Sequence, residues 1–511
     1  FSRFLSAALS GTTQTEEEVT LKLLVNKVTN KVIFAEAEKD FVDVLFSFLT
    51  FPLGTISRLL EKESSIGPLR FGSVNTLYHS VEDLDKGCFG KHVSKEMLLQ
   101  TANSSQHYCR NVKLNIDDSE PTEYFVCSKF PSCDGDRLVI SINKHNCCHC
   151  GSPMTRSVLL KHFNDGFVKD GATFIITDDL TVMPNSMDIT NFGFLQNFGI
   201  KNATSVKEMT VSVTKEKVFY LKFWSLYLYC LSLLVMVWYC SMQQVLDLLK
   251  CSLFSKTALT HLFLREKQRF INWWRAYPCP VEDNSNSNIE ITVKLVIRKS
   301  DGRLLYAQGG QDFAKMLLSF LTIPLGGIVP FLRGSSLGSI NTLYKSVANL
   351  DEDEYFVSEE AKDRIVDPQL AGQYFDLSKD ILSDQRGEIE GYYCYYQLRN
   401  YDTKGIGPNQ VFLTDRLISN EKDWRYMYAS SDVYNEVYVK GPRVYVATDD
   451  LVIAPLSPIS LVSLINRFET PFEDLKEKVV TIGIKEYRCI LEAALTTPTA
   501  LTTGLTHLLY Q

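Results

Sequence analysis

Three features of this 511-residue chain point to an α+β fold: two tandem copies of one mixed strand/helix unit, with a cysteine-rich insertion in the first. First, residues 19–60 align without a gap to residues 291–332, with 17 identities in 42 positions, which marks an internal repeat. Second, the match resumes downstream. GSVNTLY (72–78) pairs with GSINTLY (338–344), FVKDGATFIITDDLTVMP (167–184) with YVKGPRVYVATDDLVIAP (438–455), and TALT (257–260) with TALT (499–502). Third, strand-period and helix-period segments do not alternate strictly, which favours α+β over a doubly wound sheet. The repeat divides the chain into a flexible segment 1–18, a first unit 19–265, a polar linker 266–288 containing Glu282–Asn288, and a second unit 289–511.

Each element follows from local pattern. Thr20, Lys22 and Asn26 alternate with Leu21, Leu23 and Val25, the period of a half-buried strand. A turn at Thr29-Asn30 leads to a second strand over Lys31–Ala35. Phe41, Leu45, Phe48 and Leu49 fall at helical spacing, Pro52 and Gly54 break that helix, and Ile56, Leu59 and Leu60 continue it. Ala172–Thr177 and Leu180–Met183 read as two strands around Asp178-Asp179. The opening hairpin, the PLG helix break, GS(V/I)NTLY and TDDL together resemble the plant-specific family called domain of unknown function 674. The resemblance covers nearly the whole chain, in two copies, and implies no assigned chemistry.

Composition narrows the function. Apolar residues at 45% and aromatics at 12% support packed cores. The balance of 53 Lys and Arg against 60 Asp and Glu gives a net charge of −7, a poor match to a phosphate-backbone binder. The 13 cysteines are mostly scattered through a long chain. That fits a reduced, intracellular protein, cytoplasmic or nuclear, better than a secreted disulfide framework. Five of them crowd into residues 124–154, YFVCSKFPSCDGDRLVISINKHNCCHCGSPM. Cys127 and Cys133, then Cys147 and Cys150, form two pairs joined by a strand-like stretch. This zinc-ribbon-like insertion predicts a structural zinc ion on four thiolates, with Cys148, His145 and His149 as spare ligands. The family resemblance supports the same four cysteines. Four thiolates leave no open position for a catalytic water.

Residues 219–244 are anomalous. Phe223–Met242 is a 20-residue run without a charge, long enough to span a bilayer as a helix. Yet deleting Phe219–Val245 restores the parallel with the second copy. The segment is rich in residues with U-rich codons and ends in Gln-Gln, compatible with an intron ending in CAG. A retained intron, a membrane anchor and a buried helix all stay open; membrane attachment is expected only if the insert is genuine.

The remaining constellations are weaker. Asp178, Asp179, Asp449 and Asp450 recur as pairs that could serve a cation or acid/base chemistry, but adjacent acids in a short turn read first as structural. His261 and His507 recur as LTHL. Arg265–Arg269 beside Trp273 and Trp274 reads as a solvated helix end. No Walker loop, GxGxxG or HExxH spacing occurs. The expectation is a non-catalytic binding or scaffolding protein with protein partners. The alternatives are an enzyme with a site between the units using the Asp pairs, and a nucleic-acid module, which the acidic balance disfavours.

Overall fold

The structure, a computed structural model, describes residues 17–90, 95–130, 133, 139–141, 144, 146–160, 166–186, 192–200, 202–215, 242–264, 290–332, 337–368, 370–371, 374, 391–396, 411–414, 424–429, 439–441 and 443–509. In unit one, β1 (Glu17–Asn26), β2 (Lys31–Glu38), α1 (Lys39–Thr50), α2 (Leu53–Glu61) and α3 (Val74–Asp83) lead to the cysteine-rich strands β3 (Tyr124–Val126), β4 (Val139–Ile140) and β5 (Arg156–Leu160). Then come β6 (Thr173–Thr177), β7 (Val182–Pro184), β8 (Val206–Lys215), α4 (Met242–Phe254) and α5 (Ala258–Leu264). Unit two repeats the plan with β9 (Ile291–Arg298), β10 (Leu304–Gly309), α6 (Gln311–Ser319) and α7 (Ile340–Asn349), then β11 (Gly391–Tyr396), β12 (Val411–Thr414) and β13 (Trp424–Ala429). It closes with β14 (Tyr445–Thr448), β15 (Ile453–Pro455), α8 (Pro458–Arg467), β16 (Leu475–Ile482), α9 (Ile484–Thr496) and α10 (Ala500–Gly504).

The two units build the same antiparallel sheet, in the order β7-β6-β2-β1-β8 and β15-β14-β10-β9-β16. The predicted alternation in β1 holds: Leu21, Leu23 and Val25 are buried while Thr20 and Lys22 are exposed. Asn30 takes the left-handed conformation that the first turn needs, at φ 50°. Helix α1 departs from an amphipathic pattern, because every residue from Phe41 to Thr50 is buried. It runs through a single hydrophobic core that draws residues from both units, Leu45 and Phe48 alongside Leu317 and Leu343.

The repeated motifs meet at the seam between the units. Pro52 and Pro324 end a helix in each copy, since proline offers no N–H to the preceding turn. The strand-like residues there pair across the seam: Leu53 donates its N–H to Ile323 O at 3.0 Å, and Leu325 donates to Phe51 O at 3.0 Å. GSxNTLY is reciprocal too. Ser73 N–H donates to Ala494 O at 2.7 Å in α9, and Ser339 N–H donates to Ser252 O at 2.8 Å in α4. Gly72 and Gly338 have φ of 53° and 51°, and a Cβ there would stand 2.2 Å from Ala494 O and 2.6 Å from Leu253 O. No other residue type fits that approach without moving backbone. The motif asparagines brace it, accepting from Phe71 N–H at 2.6 Å (Asn75) and Leu337 N–H at 2.7 Å (Asn341).

A third sheet is shared, in the order β3-β5-β12-β11-β13-β4. Strands β12 and β13 of unit two run parallel to β5 and β4 of unit one. Phe125 and Ser141 exchange backbone bonds of 2.6 and 2.9 Å, which brings the β4 end back onto β3. A sheet joined end to end leaves no long unpaired edge.

Strand β1 begins at Glu17, inside the segment read as a flexible terminus. Most of the apolar stretch 219–244, most of segment 1–18, the linker 266–288 and the Arg265–Arg269 patch with Trp273 and Trp274 lie outside the described residues. Helix α4 starts at Met242, so the last residues of the apolar stretch belong to it. Among the described residues no helix is long and apolar enough to cross a membrane.

Candidate metal centre

The cysteine-rich segment forms two tight turns facing each other. Strand β3 delivers Cys127, and Phe130 N–H closes the first turn onto Cys127 O at 2.9 Å. The second turn is a hairpin tip: Cys148 N–H donates to Ser152 O and Gly151 N–H to Cys148 O, both at 2.8 Å. Gly151, at φ 76°, supplies the left-handed residue. Ser128 N–H donates to Pro153 O at 2.9 Å, and the Arg156 guanidinium donates to Phe130 O at 2.6 Å, tying the turns together. Phe125 and Met154 form a small buried cluster beneath, with Cys148 packed on it.

This arrangement gathers the sulfurs of Cys127, Cys133, Cys148 and Cys150 within 4.8 Å of one another. The Cys127–Cys150 and Cys133–Cys148 separations are 3.5 Å each, far beyond a disulfide bond. Three of the four are those expected from spacing; the fourth is Cys148 where Cys147 was expected. The reason is local. Cys147 sits in an extended pair with Pro153 on the hairpin arm, and successive side chains on extended backbone point to opposite sides. Cys147 is exposed and outside the cluster. His149 is exposed and also outside it, and His145 lies outside the described residues.

The sulfurs differ electrostatically. Burial pushes the Cys127 thiol up to about 12 and raises Cys148 as well. Hydrogen bonding from the Ser152 side chain and backbone lowers Cys150 to about 6. The second copy has no equivalent cluster, yet its corresponding strands β11–β13 are built into the sheet that carries this one.

The acidic pairs occupy matching turns in the two units. Asp178 accepts from Thr260 N–H at 2.8 Å and Thr260 Oγ1 at 2.7 Å; Asp449 accepts from Thr502 N–H at 2.7 Å and Oγ1 at 2.9 Å. Burial raises both carboxyls. Asp179 and Asp450 accept from Thr177 and Thr448 hydroxyls at 2.5 Å, around Leu180 and Leu451 at φ 63° and 66°. The carboxylates of each pair therefore bind threonines of their own unit, while the Asp179 carbonyl accepts from the Thr342 hydroxyl of unit two. His507 donates to or accepts from Glu486 at 2.9 Å.

Some features escape motif reading. Asp43 is a carboxylate buried inside α1, detectable only as one acid in an apolar run. Lys250 buries its ammonium against Lys62 O, Ser64 Oγ and Gly67 O at 2.8, 2.7 and 2.5 Å, closing the end of α2, and burial lowers it to about 8. A GxSxG spacing, Gly334-Ser335-Ser336-Leu337-Gly338, is also present. A nucleophile elbow needs a strand before the serine, whereas the described element before it is the 3₁₀ turn Val329–Phe331, and Gly338 serves the seam.

No curated protein and no solved structure matches the chain. The family described as "Protein of unknown function (DUF674)" matches residues 15–233 and 227–485. These two matches span most of the chain and overlap within the apolar stretch. The chain therefore belongs to the DUF674 family, with two tandem family regions.

Proposed function

We propose that this protein is a non-catalytic binding or scaffolding protein of reducing compartments, with a structural zinc ion on Cys127, Cys133, Cys148 and Cys150. The observation that carries the metal site is four sulfurs from two facing turns within 4.8 Å of one another. Tetrahedral zinc at a Zn–S distance near 2.3 Å sets sulfurs about 3.8 Å apart, so only small side-chain adjustments are needed. A set of four thiolates is closed, so the ion's contribution is to the fold. Its place supports that role. The ligands flank β3, β4 and β5, and β4 and β5 are the strands on which unit two's β13 and β12 add. The ion would hold the strand ends that join the two units, leaving the outer surfaces for partners.

Metal analysis of the purified full-length protein tests this. One zinc per chain is expected, lost in Cys148→Ser and retained in Cys147→Ser. Metal-free wild-type protein, or equal loss in both variants, defeats the assignment.

A further inference from the structure

The cleft at the seam of the two units has a charge opposite to that of the chain. It is an open cleft of about 1050 Å³, lined by Lys86 and Phe89 from unit one and by Gln311, Lys440, Gly441 and Arg443, among others, from unit two. Its floor is preformed: Lys440 N–H donates to Cys88 O at 2.8 Å, Phe89 bridges Val439, and the Tyr445 hydroxyl donates to Lys440 O at 3.1 Å.

The repeat supplies an internal control. The same place in unit one is a cleft of about 490 Å³ lined by Glu38, Lys39, Asp40, Asp43, Lys113 and Asp170, a surplus of acids. There Lys39 pairs with Asp170 at 3.0 Å, and Lys113 pairs with Asp40. In unit two the aligned residues are Gln311 for Lys39, Gly441 for Asp170 and Arg443 for Ala172. The ion pair is gone and a cation has been gained. Gly441 also clears the space, since a Cβ there would meet Gln311 Oε1 at 2.1 Å.

Three cations, Lys86, Lys440 and Arg443, face one acid, Asp312, across this cleft. Lys86 has only an exposed pairing with Glu96 at 3.3 Å, which is weak. Among the described residues neither Lys440 nor Arg443 is in an ion pair; Arg443 donates to the Cys88 sulfur at 3.6 Å. Asp312 lies in the first turn of α6, and the cations still outnumber it three to one in the lining. A positive cleft in an acidic chain concentrates anions, and its volume is that of a small-molecule site. Phe89 and Val444 add apolar wall for an organic moiety.

We propose that this inter-unit cleft binds a small organic phosphate, with Lys86, Lys440 and Arg443 on the phosphate. The concave shape and the lack of an extended basic stripe among the described residues favour a small ligand over a nucleic-acid strand.

The test is calorimetric titration of the full-length protein at low salt with inorganic pyrophosphate and with AMP. Saturable binding of both at one site per chain, in the submillimolar range, is expected. Arg443→Glu and Lys440→Glu should each weaken it at least tenfold, and Lys476→Glu, an equal charge change on the exposed face of β16, should leave it within twofold. Unaltered melting temperatures show that the variants fold. No saturable binding up to 10 mM, or equal loss in Lys476→Glu, overturns the proposal. Single-stranded RNA binding far more tightly than either probe, and being lost in Arg443→Glu, also overturns it in favour of a nucleic-acid site.

Discussion

Asp43 shows what one residue can cost in an otherwise apolar helix. Its Oδ1 accepts both Phe167 N–H at 2.8 Å and Val168 N–H at 3.0 Å. Those bonds fasten the loop entering β6 to α1, and Gly166 leaves room for the other oxygen, which a Cβ would approach to 2.0 Å. Burial dominates the electrostatics and raises the carboxyl to about 7, against the lowering effects of the two N–H bonds and Lys39. Asp40, held by Lys113, adds a small raising effect. A folded-state value above the unfolded one means the folded chain binds the proton more tightly. The stabilisation from this group is thus complete below the unfolded value and is lost as pH rises through about 7. Asp43→Asn keeps the accepting oxygen and removes the titration. Wild-type stability relative to Asp43→Asn should fall between about pH 4 and pH 7, by at most about 1.4 kcal/mol per pH unit, and level off above that. Urea titrations of both proteins at each pH check this; parallel pH profiles would refute it. Unit two has Lys315 at the aligned position, so the effect belongs to unit one alone.

At the scale of elements, the recurrence of TDDL with TALT has a mechanical explanation. The first Asp of each turn holds the second Thr of each TALT helix start, binding a strand turn to the last helices of its unit. Asp449 is 6% exposed, so truncation leaves the Thr502 N–H and hydroxyl without their carboxylate. Asp449→Ala should cost about 1.5–3 kcal/mol, the range for hydrogen bonds to a charged group. The more exposed Asp178→Ala should cost less. A lowered denaturant midpoint with unchanged slope is the expected reading, and an unchanged midpoint for Asp449→Ala would remove the explanation. The repeat, the first strands, the proline break and the two Asp turns were legible in sequence because each is a local pattern: a period, a missing N–H, a tight turn. What joins them was not. Ser73 donates its hydroxyl to Thr497 O at 2.7 Å across 424 residues, and no periodicity reports such a contact. Spacing identified two cysteine turns but selected Cys147 where the structure gathers Cys148, because that choice depends on which way a hairpin arm faces. Nor could composition show that the strands replacing the cysteine segment in unit two would join the same sheet.

The whole molecule is organised by a pseudo-twofold seam. Pro52 faces Pro324, each GSxNTLY turn docks on the other unit's last long helix, and one core runs through both units. Neither unit could expose these surfaces alone without leaving much of that core in water, where burial is worth about 25 cal/mol per Å² of apolar surface. The backbone bonds at Leu53, Leu325, Ser73 and Ser339 would also lose their acceptors. The covalent link between the units should therefore matter little to the assembled state. A protease site placed within the polar run Asn284–Ser287 provides the test. After complete cleavage, the two fragments should co-elute at the volume of the intact chain and separate only in denaturant. Fragments that part under native conditions would mean that the seam depends on the linker, and the reciprocal contacts would then be too weak to explain why both copies keep the same motifs.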